Sequence, residues 1–267
     1  MPKSMMGNRS VGHGDSIARR AGLAAIALWV GLGAVPAWAE DDPALPLRSA
    51  PISGDLSGLS DAELERRIGL LARDFEEGEA YASGWQWGFT GAWSAGIVIG
   101  TVQAAALETG DGRIPGIVTA TKGVIGTTRL LLDPVPGRLG TEPLRAVPGD
   151  SRNALETRLR AGEEQLLRIE KASHDRDKWY THTANVALNA LGGGVIIAFG
   201  DGSDAYVNVG LGIAFGELLI FTKPRRGIED LETYRNDISG APRRPADPEA
   251  SLSLVPQANG LGIAIRF

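Results

Sequence analysis

The chain has 267 residues, a net charge of −5 and no cysteine. Without cysteine it has no disulfide framework, thiol nucleophile, thiolate metal site or lipoprotein attachment point. The acidic balance speaks against nucleic-acid binding and against electrostatic docking on anionic lipid.

Residues 1–39 read as an export signal. A polar start with Arg19 and Arg20 leads into the apolar run "AGLAAIALWVGLGAV", and small residues at Ala37 and Ala39 follow, as a signal peptidase needs. An uncleaved N-terminal anchor is the alternative. The arginine pair hints at twin-arginine export, although Gly22 stands where that signal carries a bulky apolar residue. Cleavage after Ala39 removes four basic residues and one acidic one, taking the net charge from −5 to −8. About 228 residues then remain, enough for one large or two small cores.

Three stretches rich in Pro and Gly, residues 40–58, 135–150 and 225–250, read as linkers. They bracket two units, 59–134 and 151–224, with the same plan. Gly110-Asp111-Gly112 recurs as Gly200-Asp201-Gly202, Gly126 as Gly216, and Pro134 as Pro224, all at a spacing of 90. Upstream, Leu64, Ile68, Leu71, Phe75, Gly78 and Ala82 match Leu155, Leu159, Gly162, Leu166, Ile169 and Ser173 at a spacing of 91. That alternating four-three rhythm is a helical seam, and the paired spacings point to an internal duplication.

Each unit opens with a charged helix. Ser60 with Glu63, and Asn153 with Glu156, have the form of a capping box. Glu63–Arg67, Glu156–Arg160 and Glu164–Arg168 are helix-favouring i,i+4 pairs. Each helix then turns apolar, and an unbroken first helix would span roughly 70 Å, with Gly84 or Gly88 as candidate kinks. The Gly-Asp-Gly triplets read as hairpin turns, the glycines supplying positive φ and the aspartate an Asx turn. A calcium loop needs more oxygens than "DGSD" supplies. Pro115 suits the first turn of a return helix, and Ser203 or Asp204 suits the N-cap of its counterpart.

Small residues recur every fourth position at Gly84, Gly88, Ala92, Gly96, Gly100 and Ala104. The second unit repeats them at Ala190, Gly194, Ala198 and Gly202. Glycine inside a helix costs about 1 kcal/mol relative to alanine, so close helix packing is the expected compensation. The apolar helices are long enough to cross a membrane. For an exported chain, however, Arg138, Arg145, Lys223, Arg225 and Arg226 reverse the positive-inside rule, and Lys122, Arg129 and Glu217 interrupt the return helices. A helical bundle in the periplasm, leaning on a membrane, is the favoured expectation.

At the end of the chain, Leu261, Ile263, Ile265 and Phe267 alternate with Gly262, Ala264 and Arg266, which is strand spacing. With "PQANG" as a turn and Leu252 and Leu254 before it, residues 251–267 read as a β-hairpin. The terminal aromatic resembles the closing strand of outer-membrane β-barrels over about 10 residues, without the other strands a barrel needs. Leu261, Ile263, Ile265 and Phe267 are therefore a candidate partner-binding strand.

Polar chemistry gathers at "SHDRDKWYTH". His174, Asp175, Asp177 and His182 could supply a base or ligands, but the two histidines lack the i,i+4 spacing with which a helix grips one metal. No catalytic or metal residue and no cofactor is assigned. Trp85, Trp87, Trp93, Trp179 and Tyr180 mark the polar-to-apolar boundary of each unit and are candidates for a ligand mouth, an interface or core anchors.

The expected fold is all-α: a duplicated αα-hairpin in a four-helix arrangement with long first helices, plus a short C-terminal β-hairpin. The expected role is a non-enzymatic scaffold or interaction protein of the cell envelope, exported to the periplasm or outer-membrane-associated. It would self-associate through its Gly/Ala faces, or bind an envelope protein. The alternative is a binder or carrier of a lipid-like ligand between the hairpins, and a His/Asp hydrolase ranks last.

Overall fold

The computed structural model describes residues 52–107, 110–176 and 178–240, and the backbone of 251–257 and 260–266. The proposed signal 1–39, Asp177 and Phe267 lie outside the described residues. The protein is mostly helical. Among the described residues the helices are α1 (Asp61–Ala106), α2 (Gly110–Leu132), α3 (Glu142–Arg145), α4 (Arg152–Arg176), α5 (Trp179–Phe199), α6 (Gly202–Thr222) and α7 (Gly227–Ser239). A 3₁₀ turn, Pro136–Leu139, joins α2 to α3. At the end, Ser251–Gln257 pairs antiparallel with Gly260–Arg266, with Leu252 opposite Ile265 and Leu254 opposite Ile263.

α1 runs unbroken for 46 residues, so neither Gly84 nor Gly88 interrupts it. Ser60 caps it, its Oγ accepting from the Glu63 amide at 3.2 Å. The interruption falls in the second unit instead, between α4 and α5. There the Thr181 hydroxyl donates to the Asp175 carbonyl at 3.0 Å. The second cap also differs from expectation. α4 begins one residue before Asn153, and Ser151 Oγ takes the Ala154 amide at 3.3 Å. Glu156 pairs with Arg152 at 3.0 Å, the better-placed guanidinium once the helix starts there.

One end of the molecule is a water-type helical head. Leu64, Leu71 and Phe75 of α1 pack against Leu155, Leu159 and Leu166 of α4, with Leu144, Leu231, Tyr234 and Leu56 closing the core. The seam spacing explains this directly, because those positions fall on facing stripes of two helices. All three expected linkers contribute structure here. Leu56 and Ser53 from 40–58 are buried, as is Leu144 from 135–150, while Val135 packs with Ala82, Trp85 and Leu130. Residues 227–239 of the third form α7, which packs along α4. Apolar side chains within those stretches find places in the core, and Pro136 and Pro143 sit in the first turn of the 3₁₀ turn and of α3, where proline is tolerated.

The other end consists of the second half of α1 with α2, and α5 with α6, each pair folded back as a hairpin. The turns differ from expectation. Gly200 has φ −131°, and positive φ occurs among the described glycines at Gly140, Gly149 and Gly240. Asp201, rather than Ser203 or Asp204, caps α6 by accepting from the Ser203 amide at 2.9 Å. Pro115 lies inside α2 instead of at its first turn.

The expected small-residue faces also need correction. A Cβ added at Gly84, Gly88, Gly96, Gly194 or Gly202 would meet nothing within 4 Å, and Ala92, Ala190 and Ala198 are exposed. Of the set, Gly100 and Ala104 make the close approach, against Gly116 and Ala120 of α2. The reason is helical geometry. Steps of four residues advance about 40° beyond a full turn, so positions 84 and 104 end up about 200° apart around the axis. No straight partner can follow that row. The contact follows Trp93, Ile97, Gly100 and Ala104 instead, opposite Gly116, Gly123 and Gly126, all three of which have no room for a side chain.

Candidate functional site

Inside the hairpin end, a polar seam runs between two buried apolar clusters, and many apolar residues face outward. On α5, His182, Asn185 and Asn189 share one face by helical spacing. On α6, Gly212 and Gly216 form a notched row, and the Asn189 and Asn185 carboxamides fill the space where their Cβ atoms would project. The side chains form one connected chain. His182 Nδ1 donates to Glu217 Oε2 at 2.6 Å, and Asn185 Nδ2 donates to Glu217 Oε1 at 2.9 Å. Asn189 Nδ2 donates to Asn185 Oδ1 at 2.9 Å.

Lys122 of α2 enters from the other hairpin. Its ammonium donates to Asn189 Oδ1 at 2.8 Å and to Asn208 Oδ1 at 2.7 Å, and Asn208 Nδ2 donates to Thr119 Oγ1 at 3.1 Å. The lysine stem passes over Gly192, where a Cβ would strike it. Towards the turns, the interior is closed by Val118, Ile196 and Ala205, with Ile114 and Val195 against them. Hydroxyls on α1 satisfy themselves locally: Thr90 donates to the Gln86 carbonyl at 2.7 Å and Ser94 to the Thr90 carbonyl at 2.8 Å.

The outer surface is apolar. Val98, Ile99 and Val102 of α1, Leu131 of α2, Ile197 of α5, and Val207, Leu211 and Phe221 of α6 are all more than half exposed. α5 and the run that opens at Gly202 are long and apolar enough to cross a membrane, with mean hydropathy 1.3 and 1.5. Only 17% and 11% of these apolar stretches is buried, whereas the core helix of a soluble protein is mostly buried.

The aromatic candidates divide. Trp85 is buried, stacks near Phe89 at 5.0 Å, and donates Nε1–H to Thr222 Oγ1 at 3.1 Å. Trp93 meets Phe215 edge-on at 4.9 Å. These two join the hairpins as packing anchors. Trp87 and Trp179 are exposed, and Tyr180 stands edge-on to Trp179 at 6.4 Å.

The two histidines are not brought together. His174 pairs with Glu170 at 3.0 Å in the head, and His182 pairs with Glu217 in the bundle. Among the described residues no group of three His, Asp or Glu could hold a metal ion. A buried carboxylate that sequence reasoning missed, Glu163, ties the head together. It accepts from the Ser53 amide at 3.1 Å, from Ser53 Oγ at 2.5 Å and from the Tyr234 hydroxyl at 2.9 Å. Burial and the neighbouring Glu163 push the Tyr234 hydroxyl well above its ordinary pKa.

Between head and bundle lies a neck. There Asp74, Arg226 and Asp230 line a cavity of about 30 Å³ whose remaining walls include Phe75, Ala82 and Ile169. Arg226 donates to Glu77 at 2.7 Å, which holds that carboxyl below its usual range. Asp74 and Asp230 are held above theirs, chiefly by burial.

The search of family models, curated proteins and solved structures found no match to this chain.

Proposed function

We propose that this chain is a membrane-embedded scaffold of the cell envelope: a helical head carried on a lipid-immersed bundle, with a structural and interaction role rather than an enzymatic one. One observation carries the reading. The bundle's outer surface is apolar, while a polar seam runs through its interior, where Lys122 is held between Asn189 and Asn208 beneath an outer layer of Val, Ile, Leu and Phe. Water would invert that arrangement, because exposing so much apolar surface forfeits about 25 cal/mol per Å². Lipid favours it, because polar side chains there need partners from neighbouring helices. We prefer this to the periplasmic bundle leaning on a membrane that loop charges favour, because loop charges count basic residues but carry no information on which side chains face outward.

The duplicated-hairpin plan belongs to the same reading. It is supported by the matching hairpins, whose return helices end 90 residues apart at Leu132 and Thr222. Self-association is retained as well: the open faces at Gly84, Gly88 and Ala92, and at Ala190, Gly194 and Ala198, would let a second copy approach closely in lipid. The C-terminal hairpin remains the proposed partner-binding strand. A lipid carrier is less well supported, since the neck cavity has room for only a water-sized molecule.

Because the chain lacks cysteine, single-cysteine labelling tests the proposal without background. Glu65→Cys in the head and Asp204→Cys at a hairpin turn should react with an impermeant maleimide from opposite sides of the membrane, and the protein should resist carbonate extraction. Labelling of both from one side, or release by carbonate, would overturn it.

A further inference from the structure

We propose that the neck cavity is a proton-binding site, in which Asp74 of α1 and Asp230 of α7 hold one proton between them and thereby set how firmly α7 docks. The inference goes beyond the membrane reading and does not depend on it. Both carboxyls line the same small cavity, with side chains only 9% and 13% exposed. Asp74 Oδ1 accepts from Arg73 at 3.2 Å, but its Oδ2 is buried without a hydrogen-bond donor among the described residues. An ionised oxygen in that position forfeits its hydration with no return, whereas protonation removes the charge and turns that oxygen into a donor for the second carboxyl lining the cavity.

The surrounding charges can be named from each packed element. α1 brings Arg73, Asp74 and Glu77, and the start of α7 brings Glu229 and Asp230 with Arg226 just before them. On α4, Glu170 lies where Gly227 meets the backbone of that helix, and it pairs with His174. Arg138 lies on the 3₁₀ turn beside the cavity wall at Gly137. Arg73 reaches Asp74 Oδ1 at 3.2 Å, and the cation beside Asp230 is Arg226. It is committed to Glu77 at 2.7 Å and stands 3.6 Å from Asp230, beyond hydrogen-bond distance.

Burial, outweighing that arginine, lifts the Asp230 carboxyl to about 7, and the Asp74 carboxyl moves upward for the same leading reason. The sign follows. A carboxyl more readily protonated in the folded state than in the unfolded one supports folding below the ordinary carboxylate range. That support is lost as pH rises through about 7. The proton comes from bulk water and leaves to it, so no other reactant is required. α7 follows α6 through residues 223–226 and buries Leu231 and Tyr234 in the head, so the site couples the bundle to the head.

Hydrogen exchange of the full chain in detergent tests this, at pH 5.5 and pH 8 with intrinsic rates corrected. Protection of residues 228–234 should fall about tenfold at the higher pH, the equivalent of one pKa unit, while α2 amides hold steady. Asp230→Asn should keep the acidic level of protection at both values. Flat protection in the wild type, or an unchanged fall in Asp230→Asn, overturns the proposal. Should Asp230→Asn fail to fold, Asp74→Asn decides. Removing the second carboxyl should move the wild-type midpoint to lower pH, and an unmoved midpoint overturns the shared site.

Discussion

The Asn189 carboxamide oxygen occupies the space into which a Cβ on Gly212 would project, and Asn185 stands in the same way over Gly216. α5 and α6 therefore interlock through polar groups set into glycine notches. Substituting alanine at 212 or 216 should displace a carboxamide and lower stability by about 1–3 kcal/mol, the range for overpacked sites. Thermal unfolding in detergent reads this directly. Gly194→Leu, which points into open space, should melt like the wild type while reducing any oligomer seen by native mass spectrometry. Wild-type melting of Gly212→Ala would sink the interlocking account.

Lys122 joins the two hairpins through Asn189 and Asn208. Replacing it by methionine keeps the stem over Gly192 but leaves two carboxamide oxygens facing no cation. The expected loss is about 1–2 kcal/mol, as for polar contacts between membrane helices. A double-mutant cycle with Asn208→Leu should show coupling between the positions, and simple additivity would contradict the clasp.

In the head, Glu163 accepts three hydrogen bonds while only 4% exposed. Glu163→Gln keeps its shape, removes the charge and turns one acceptor into a donor facing other donors. A loss of about 1.5–3 kcal/mol is expected, the range for hydrogen bonds to charged groups. The same thermal scan measures it, and an unchanged midpoint would remove Glu163 from its place as the tie between α4, α7 and the segment before α1.

Acid should act on α1 with the opposite sign to the neck. Hydrogen bonds from Arg66 and Arg67 hold the Glu63 carboxyl down at about 2. A depressed carboxyl supports folding above its unfolded pKa, and that support is lost as pH falls from about 4.5 to about 2. Glu63→Gln should therefore melt below the wild type at pH 6, with the gap closing toward pH 2. A gap that stays constant with pH would show that the arginine pairing contributes nothing.

Much of the fold could be read directly from the letters. Period and capping identified a charged helix that turns apolar, and the seam through Leu64, Leu71 and Phe75 opposite Leu155, Leu159 and Leu166 is the head's core. Seam spacing is informative because an apolar stripe in water has one favourable place to go. The small-residue rows were less so. Their four-residue step was visible, but the step winds around the helix, so only Gly100 and Ala104 reach a partner. The polar seam left a trace in Asn185, Asn189 and Asn208, which stand in otherwise apolar helices, and that trace could have pointed to it. The trio of donors around Glu163 left none, because Ser53, Glu163 and Tyr234 are separated by 110 and 71 positions.

By itself, the sequence determined most of the helices, though not α7 or the break between α4 and α5, and which stretches are apolar, because propensity, caps and periodicity act within a few turns of chain. Only the tertiary structure decided which side of each apolar helix faces its neighbours. That choice depends on how the hairpins cross, through contacts such as Lys122 with Asn189 and Asn208 that join residues 67 and 86 positions apart. It is also what distinguishes a bundle built for water from one suited to lipid, since the two can share composition and helix length while turning opposite faces outward.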